Sequence, residues 1–262
     1  MKKGIMPVLA VLLLFGCATS RIKPVESTPS SDLAGLKAAL ERYNGDAGYF
    51  KILGTARIGG GRILDLGARG ATGAGSRLDV LAGPASKLLL SAGCVVGSGC
   101  TVFFPDDFMV YRDEGKVMAS WFTDLVTGRV PLIGAPQQAG KTASGEGVLL
   151  ISGRGGQWQT VLFAPDGVLP RRTLYGDGDG APRLEISYSD FISVDGLPFP
   201  GRLVIGGERE GEELVLDLTR VERQEQVPQG AFGVRLPSGT GETVKSGREA
   251  WKKLGMFWTP RD

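Results

Sequence analysis

The sequence predicts a mainly β, α+β fold in which one large antiparallel sheet curls around two helices. Three observations predict it. The 262 residues include 41 glycines and 15 prolines, spread between apolar runs rather than gathered into a low-complexity tract, which is the punctuation of a turn-rich β chain. Short runs rich in Val, Ile, Leu, Tyr and Phe follow one another at hairpin spacing. Apolar residues recur at helical spacing in two stretches beyond the N-terminal leader.

The leader comes first. Lys2 and Lys3 precede an apolar run from Ile5 to Gly16, the pattern of a secretory signal peptide. The run falls short of the ~20 apolar residues that span a bilayer, and Pro7 interrupts its start, so residues 1–16 are expected to be removed. Leu14-Phe15-Gly16-Cys17 resembles a bacterial lipobox, which implies acylation of Cys17 by palmitate-type chains; the alternative is an ordinary signal peptide with a chance cysteine. Two or more acyl chains, each gaining ~0.8 kcal/mol per buried methylene, would hold the protein on a bilayer. Residues 17–31 are polar, with Pro24 and Pro29, and are expected to form a lipid anchor and flexible tether. Loss of residues 1–16 removes Lys2 and Lys3 but no acidic residue, leaving 28 basic and 28 acidic side chains. No basic face stands out, which excludes a nucleic-acid partner.

Within residues 32–242 the first helix is marked by Leu33, Leu36, Leu40 and Tyr43, with Ser31 or Asp32 to cap it and Gly45 to stop it. Strands are expected at Tyr49–Ile58, Arg62–Arg69, Ser76–Leu81, Lys87–Ala92, Thr101–Phe104 and Phe108–Arg112, separated by turn signals such as Gly59-Gly60-Gly61 and Pro105-Asp106-Asp107. Val117, Met118, Trp121, Phe122, Leu125 and Val126 then recur on one helical face, and Gly128 stands where a left-handed cap would sit. Strands resume at Gly147–Ser152, Gln157–Ala164, Leu169–Tyr175, Leu184–Phe191, Pro200–Gly206 and Glu213–Glu222. The tail, residues 243–262, mixes Trp251, Leu254, Met256, Phe257 and Trp258 with basic residues; a short helix is expected near 246–254, with its aromatics docked on the sheet rather than lying at a membrane interface.

Three segments carry a family resemblance: Leu125-Val126-Thr127-Gly128-Arg129-Val130-Pro131-Leu132, the stretch from Phe191 to Pro200 (FISVDGLPFP), and Val227-Pro228-Gln229-Gly230-Ala231-Phe232. With the order of elements, they resemble the LolA/LolB-like lipoprotein localisation factors and related bacterial outer-membrane lipoproteins, over roughly residues 31–242. The resemblance implies an incomplete antiparallel barrel with helices as lid or plug, and an apolar cavity for the acyl chains of a lipid or lipoprotein. It also implies an outer-membrane location facing the periplasm, because Ala18 is not the aspartate associated with inner-membrane retention. The candidate hairpin loop Ala82-Gly83-Pro84-Ala85-Ser86 lacks the exposed apolar residue carried by the family's outer-membrane receptor.

Strand alternation nominates cavity-facing residues, although a register slip of one would invert them. The candidates are Val80, Leu88, Leu90, Val102, Phe104, Met109, Tyr111, Leu149, Ile151, Val161, Phe163, Leu203, Ile205 and Leu216, with Met118, Trp121, Phe122 and Leu125 from the second helix; the alternative for each is packed core. Cys94 and Cys100 stand at the two ends of a glycine-containing loop, so a hairpin disulfide is expected in an oxidising compartment. A metal pair lacks supporting histidines, and a redox pair lacks the two-residue spacing. The chain contains no histidine, which removes Ser-His and Cys-His nucleophiles and the usual general base. Asp177 and Asp179 lack the later ligands of a calcium loop and read as a turn. Neither a catalytic activity nor a cofactor nor a metal is expected. Two functional classes remain: a carrier or receptor for a lipid or lipoprotein, or a structural lipoprotein that scaffolds envelope protein partners.

Overall fold

The computed structural model describes residues 25–30, 32–45, 48–59, 61–83, 86–178, 180–207, 213–237, 244–246, 249–251 and 259–260. The lipid-anchor assignment at Cys17 and most of the aromatic tail lie outside the described residues.

The chain begins with β1 (Thr28–Ser30) and α1 (Leu33–Asn44). A meander follows: β2 (Tyr49–Ile58), β3 (Ile63–Ala71), β4 (Gly75–Ala82), β5 (Lys87–Val95), β6 (Gly99–Phe104) and β7 (Met109–Asp113). After α2 (Lys116–Val126) comes a second meander of β8 (Pro136–Lys141), β9 (Gly147–Ser152), β10 (Gln157–Phe163), β11 (Pro170–Asp177) and β12 (Leu184–Ser189). A small hairpin, β13 (Ile192–Val194) and β14 (Leu197–Phe199), leads into β15 (Arg202–Gly207) and β16 (Leu214–Gln224), and β17 (Val244–Ser246) comes last.

All but β13 and β14 join one 15-stranded sheet in the order β1-β8-β9-β10-β11-β12-β15-β16-β2-β3-β4-β5-β6-β7-β17. The sheet is antiparallel except where β17 runs parallel to β7. The two meanders are joined by a long ladder between β16 and β2, from Leu214 opposite Ile58 to Gln224 opposite Tyr49. The sheet curls but does not close, so the fold is an incomplete antiparallel barrel with helices inside it.

Period-two alternation selects the two faces. In β2, Phe50, Ile52 and Ala56 are buried on the concave side while Lys51 and Leu53 are exposed. α2 fills the concavity against β3 to β6, burying Met118, Ala119, Trp121, Phe122, Leu125 and Val126. α1 covers β8 and β9 with Leu36, Ala39 and Leu40.

Gly128 has φ +72° and ends α2 in a Schellman motif: Gly128 N–H donates to Leu125 O (3.1 Å) and Arg129 N–H to Asp124 O (2.8 Å). A Cβ there would fall 2.8 Å from Pro200 Cδ, so glycine meets both the dihedral and the close approach. Gly45 ends α1 differently, in right-handed backbone at φ −72°.

Several short strands depart from the sequence reading. Thr28–Ser30, assigned to the tether, pairs with Lys141–Ala139 and covers one sheet edge. β8 (PQQAGK) has no apolar alternation, because only Ala139 and Gly140 of its six residues are buried. Within the Phe191–Pro200 segment, which the resemblance singled out, β13 and β14 form a hairpin apart from the main sheet.

Candidate functional site

The concave face carries two kinds of inward residue. Around β6, β7, β9 and β10 the inward side chains are large. Val102, Tyr111, Leu149, Ile151, Val161 and Phe163 are fully buried core, with Phe104 and Met109 packed against them and Phe104 edge-on to Tyr111. On β2 and β3 the inward positions include Ala56 and Ala68, too small to meet α2. The space they leave is a narrow apolar cavity of about 40 Å³ between the sheet and α2. Its walls are Ile52, Ala56, Ile58, Leu66, Ala68, Leu78, Val80 and Leu90 from β2 to β5, and Leu203, Ile205, Leu214, Leu216 and Leu218 from β15 and β16, with Phe122, Leu125 and Val126 from α2. An apolar slot of this kind stays dry because water finds no partners in it. It reaches the surface at Ile58, which is 40% exposed.

The segment that follows α2, from Gly128 to Pro131, is pinned by polar groups. Tyr43 Oη donates to Gly128 O (2.6 Å); Asn44 Nδ2 donates to Val130 O (2.9 Å), and Val130 N–H returns a bond to Asn44 Oδ1 (3.0 Å). Pro131 O accepts from both Tyr175 Oη and Gln159 Nε2, each at 2.8 Å. Asp124 sits beside this network, and burial pushes its carboxyl up to about 6 while the Arg129 guanidinium pulls it back. Burial also raises Tyr43, Tyr175 and Tyr188, so all three are neutral phenols at physiological pH. Trp251 from the tail is buried at 5.2 Å from the Phe122 ring and donates from Nε1 to Asp113 Oδ2 (2.8 Å).

Of the residues nominated from sequence, Val80, Leu90, Phe122, Leu125, Leu203, Ile205 and Leu216 meet at this cavity. Met118 and Trp121 occupy another side of α2, where Trp121 packs edge-on to Tyr175 at 5.8 Å. Leu88 requires correction. A register shift after Val80, which itself faces Leu90, sets Leu81 rather than Ala82 opposite Leu88, and turns Leu88 to the convex face beside Leu53 and Leu81. Sequence reasoning missed Ile52, Ala56, Leu66 and Ala68 on β2 and β3 and Leu78 on β4; the small inward residues Ala56 and Ala68 were the signal of a hollow there.

Cys94 and Cys100 face each other across the β5–β6 hairpin and are disulfide-bonded. Asp177 ends β11 with the Arg183 guanidinium 3.8 Å away, and Asp179 lies outside the described residues. Among the described residues there is no group of three or more His, Cys, Asp or Glu placed to hold a metal, and no helix long and apolar enough to cross a membrane.

No protein-family model and no curated protein matches the chain. Solved structures do. A LolA superfamily protein from Nitrosomonas europaea superposes with a TM-score of 0.54 at 14% identity, covering 76% of this chain and 97% of the other. An outer membrane lipoprotein-sorting protein domain from Vibrio parahaemolyticus gives 0.53 at 11%, covering 77% and 95%. A DUF1329 family protein from Desulfovibrio piger gives 0.52 at 15%, covering 76% and 95%. At these identities the likeness shows the fold, and the fold is LolA-like.

Proposed function

We propose that this protein is a non-catalytic envelope lipoprotein, anchored through Cys17 at the outer membrane and facing the periplasm, that shelters lipid or lipoprotein acyl chains in its half-barrel. The observation that carries the reading is the cavity itself: every lining side chain is apolar, and it runs from Phe122 and Leu125 in the interior to the exposed Ile58. Each methylene moved from water into such a space gains ~0.8 kcal/mol. No hydrogen-bonding group is needed, so selection is by bulk and apolarity. The LolA superfamily protein and the lipoprotein-sorting domain share the fold, which supports a sorting or carrier role.

Admission of a chain requires the narrow slot to widen. α2 is the element to yield, because Phe122, Leu125 and Val126 form one wall while the other walls belong to hydrogen-bonded strands. The test is titration of the purified protein with an environment-sensitive fatty-acid probe. Saturable fluorescence gain, competed by unlabelled fatty acid and weakened in Leu125→Asp that still folds by circular dichroism, is the expected result. A folded wild type without saturable binding would return the protein to the scaffold class, its partners then being other envelope proteins.

A further inference from the structure

The convex face carries a feature that acyl binding does not use. On adjacent strands Lys51, Arg69 and Arg77 stand directly opposite one another: Lys51 pairs with Arg69 across β2–β3, and Arg69 with Arg77 across β3–β4. Like charges in opposed positions destabilise a sheet, so a row of three calls for a counter-ion. Among the described residues Asp79 is the one carboxylate the row shares, held chiefly by Arg77, accepting from Arg77 Nε at 2.9 Å and from Ser91 Oγ at 2.6 Å. It stands 4.0 Å from Arg69 Nη2, the outer limit of an ion pair. Glu222, opposite Lys51, is taken by Arg220. Lys51 makes no ion pair among the described residues and is exposed.

These cations edge a groove of about 540 Å³. Gly67, beside Arg69, leaves the floor open, since a Cβ there would meet nothing within 4 Å. Leu53 stands opposite Gly67, two residues or about 7 Å along the strand from Lys51 at ~3.3 Å per residue, and Leu81, with Leu88 opposite it, lines the far part of the groove four residues or about 13 Å from Arg77.

We propose that Lys51 and Arg69 form an anion site on the convex face that takes a phosphate mono- or diester, with an attached apolar group lying along Leu53, Leu81 and Leu88. Arg69 offers a planar fork suited to two phosphate oxygens, and Lys51 a point charge across the groove. The shared chemistry is phosphate, from a lipid headgroup or free in solution. The site lies on the opposite side of the sheet from the acyl cavity and stands or falls independently of it.

The test uses the full chain in a non-ionic detergent at fixed ionic strength, titrated calorimetrically with inorganic phosphate and, separately, with dihexanoylphosphatidylglycerol. Saturable binding is expected, weakened at least tenfold in the Lys51→Gln/Arg69→Gln variant. That variant should unfold at the same temperature or slightly higher, because the repulsion is gone. Lipid binding tenfold tighter than phosphate, and lowered by Leu88→Ser, identifies a lipid headgroup as the source; equal affinities identify phosphate alone. Either supports the site. Absence of saturable binding to both probes, or unchanged affinity in the double variant, overturns it. A neutral monoacylglycerol reads the cavity separately: its binding is unaffected by the double variant, and its failure to bind counts against the acyl reading alone.

Discussion

Replacing Asp124 with Asn tests whether α2 carries a stored electrostatic cost. The carboxyl is held at about 6 in the folded protein, against 3.8 in the unfolded chain, chiefly by burial. Below the unfolded value both states are protonated and the group costs nothing. As pH rises from about 4 through 6 the unfolded chain releases its proton first, so the folded state loses stability; above about 7 the loss is complete. Two units at 1.36 kcal/mol each make it roughly 3 kcal/mol. Asn cannot ionise, so the wild-type minus variant difference in unfolding free energy should fall by roughly 3 kcal/mol between pH 3.5 and 7.5. Urea unfolding followed by circular dichroism at intervals across that range measures it, and subtraction removes every other carboxylate. Parallel curves for the two proteins would refute the assignment of a buried, ionisable Asp124. Tyr175 and Tyr188 stay neutral throughout and do not distort the difference.

Three further outcomes are expected. Unreduced protein should show no free thiol from Cys94 or Cys100, and Cys94→Ser/Cys100→Ser should cost about 2 kcal/mol by loop closure, read from urea midpoints. Trp251→Phe keeps most of the packing on Phe122 but removes the indole bond to Asp113 Oδ2, leaving the carboxylate only the Gly115 N–H at Oδ1, so a loss of about 2 kcal/mol in unfolding free energy is expected; an unchanged value would mean that the tail does not dock there. Cys17→Ser should shift the protein from the membrane to the soluble fraction or leave it unprocessed, and lipid labelling equal to wild type would contradict acylation at that residue.

The hairpin meander was legible because its signals are local. β2 and β9 have their expected ends, Tyr49–Ile58 and Gly147–Ser152, since apolar alternation and flanking turns coincide there. β8 was illegible for the opposite reason: Gln137 and Gln138 are exposed, and the strand is held by its ladder to β9 rather than by a buried stripe. The register shift after Val80 turned Leu88 outward, and nothing in Lys87-Leu88-Leu89-Leu90 tells a bulged strand from a regular one. The second helix was found by its apolar stripe, yet a stripe says which residues are buried and not what each meets. Trp121 therefore meets Tyr175 while Phe122 and Leu125 face the cavity. Ala56 and Ala68 on β2 and β3 were overlooked because a search for large apolar residues passes over them. A hollow is made by the small ones.

The central claim is that acyl chains enter the space between α2 and the sheet. Nuclear Overhauser contacts between uniformly ¹³C-labelled palmitate and the methyl groups of the purified protein test it most directly. The account predicts contacts to Leu66, Val80, Leu90 and Leu203, together with shifted resonances for Phe122 and Leu125. Contacts confined to the convex-face methyls of Leu53, Leu81 and Leu88, or no contacts at saturating palmitate, would contradict it.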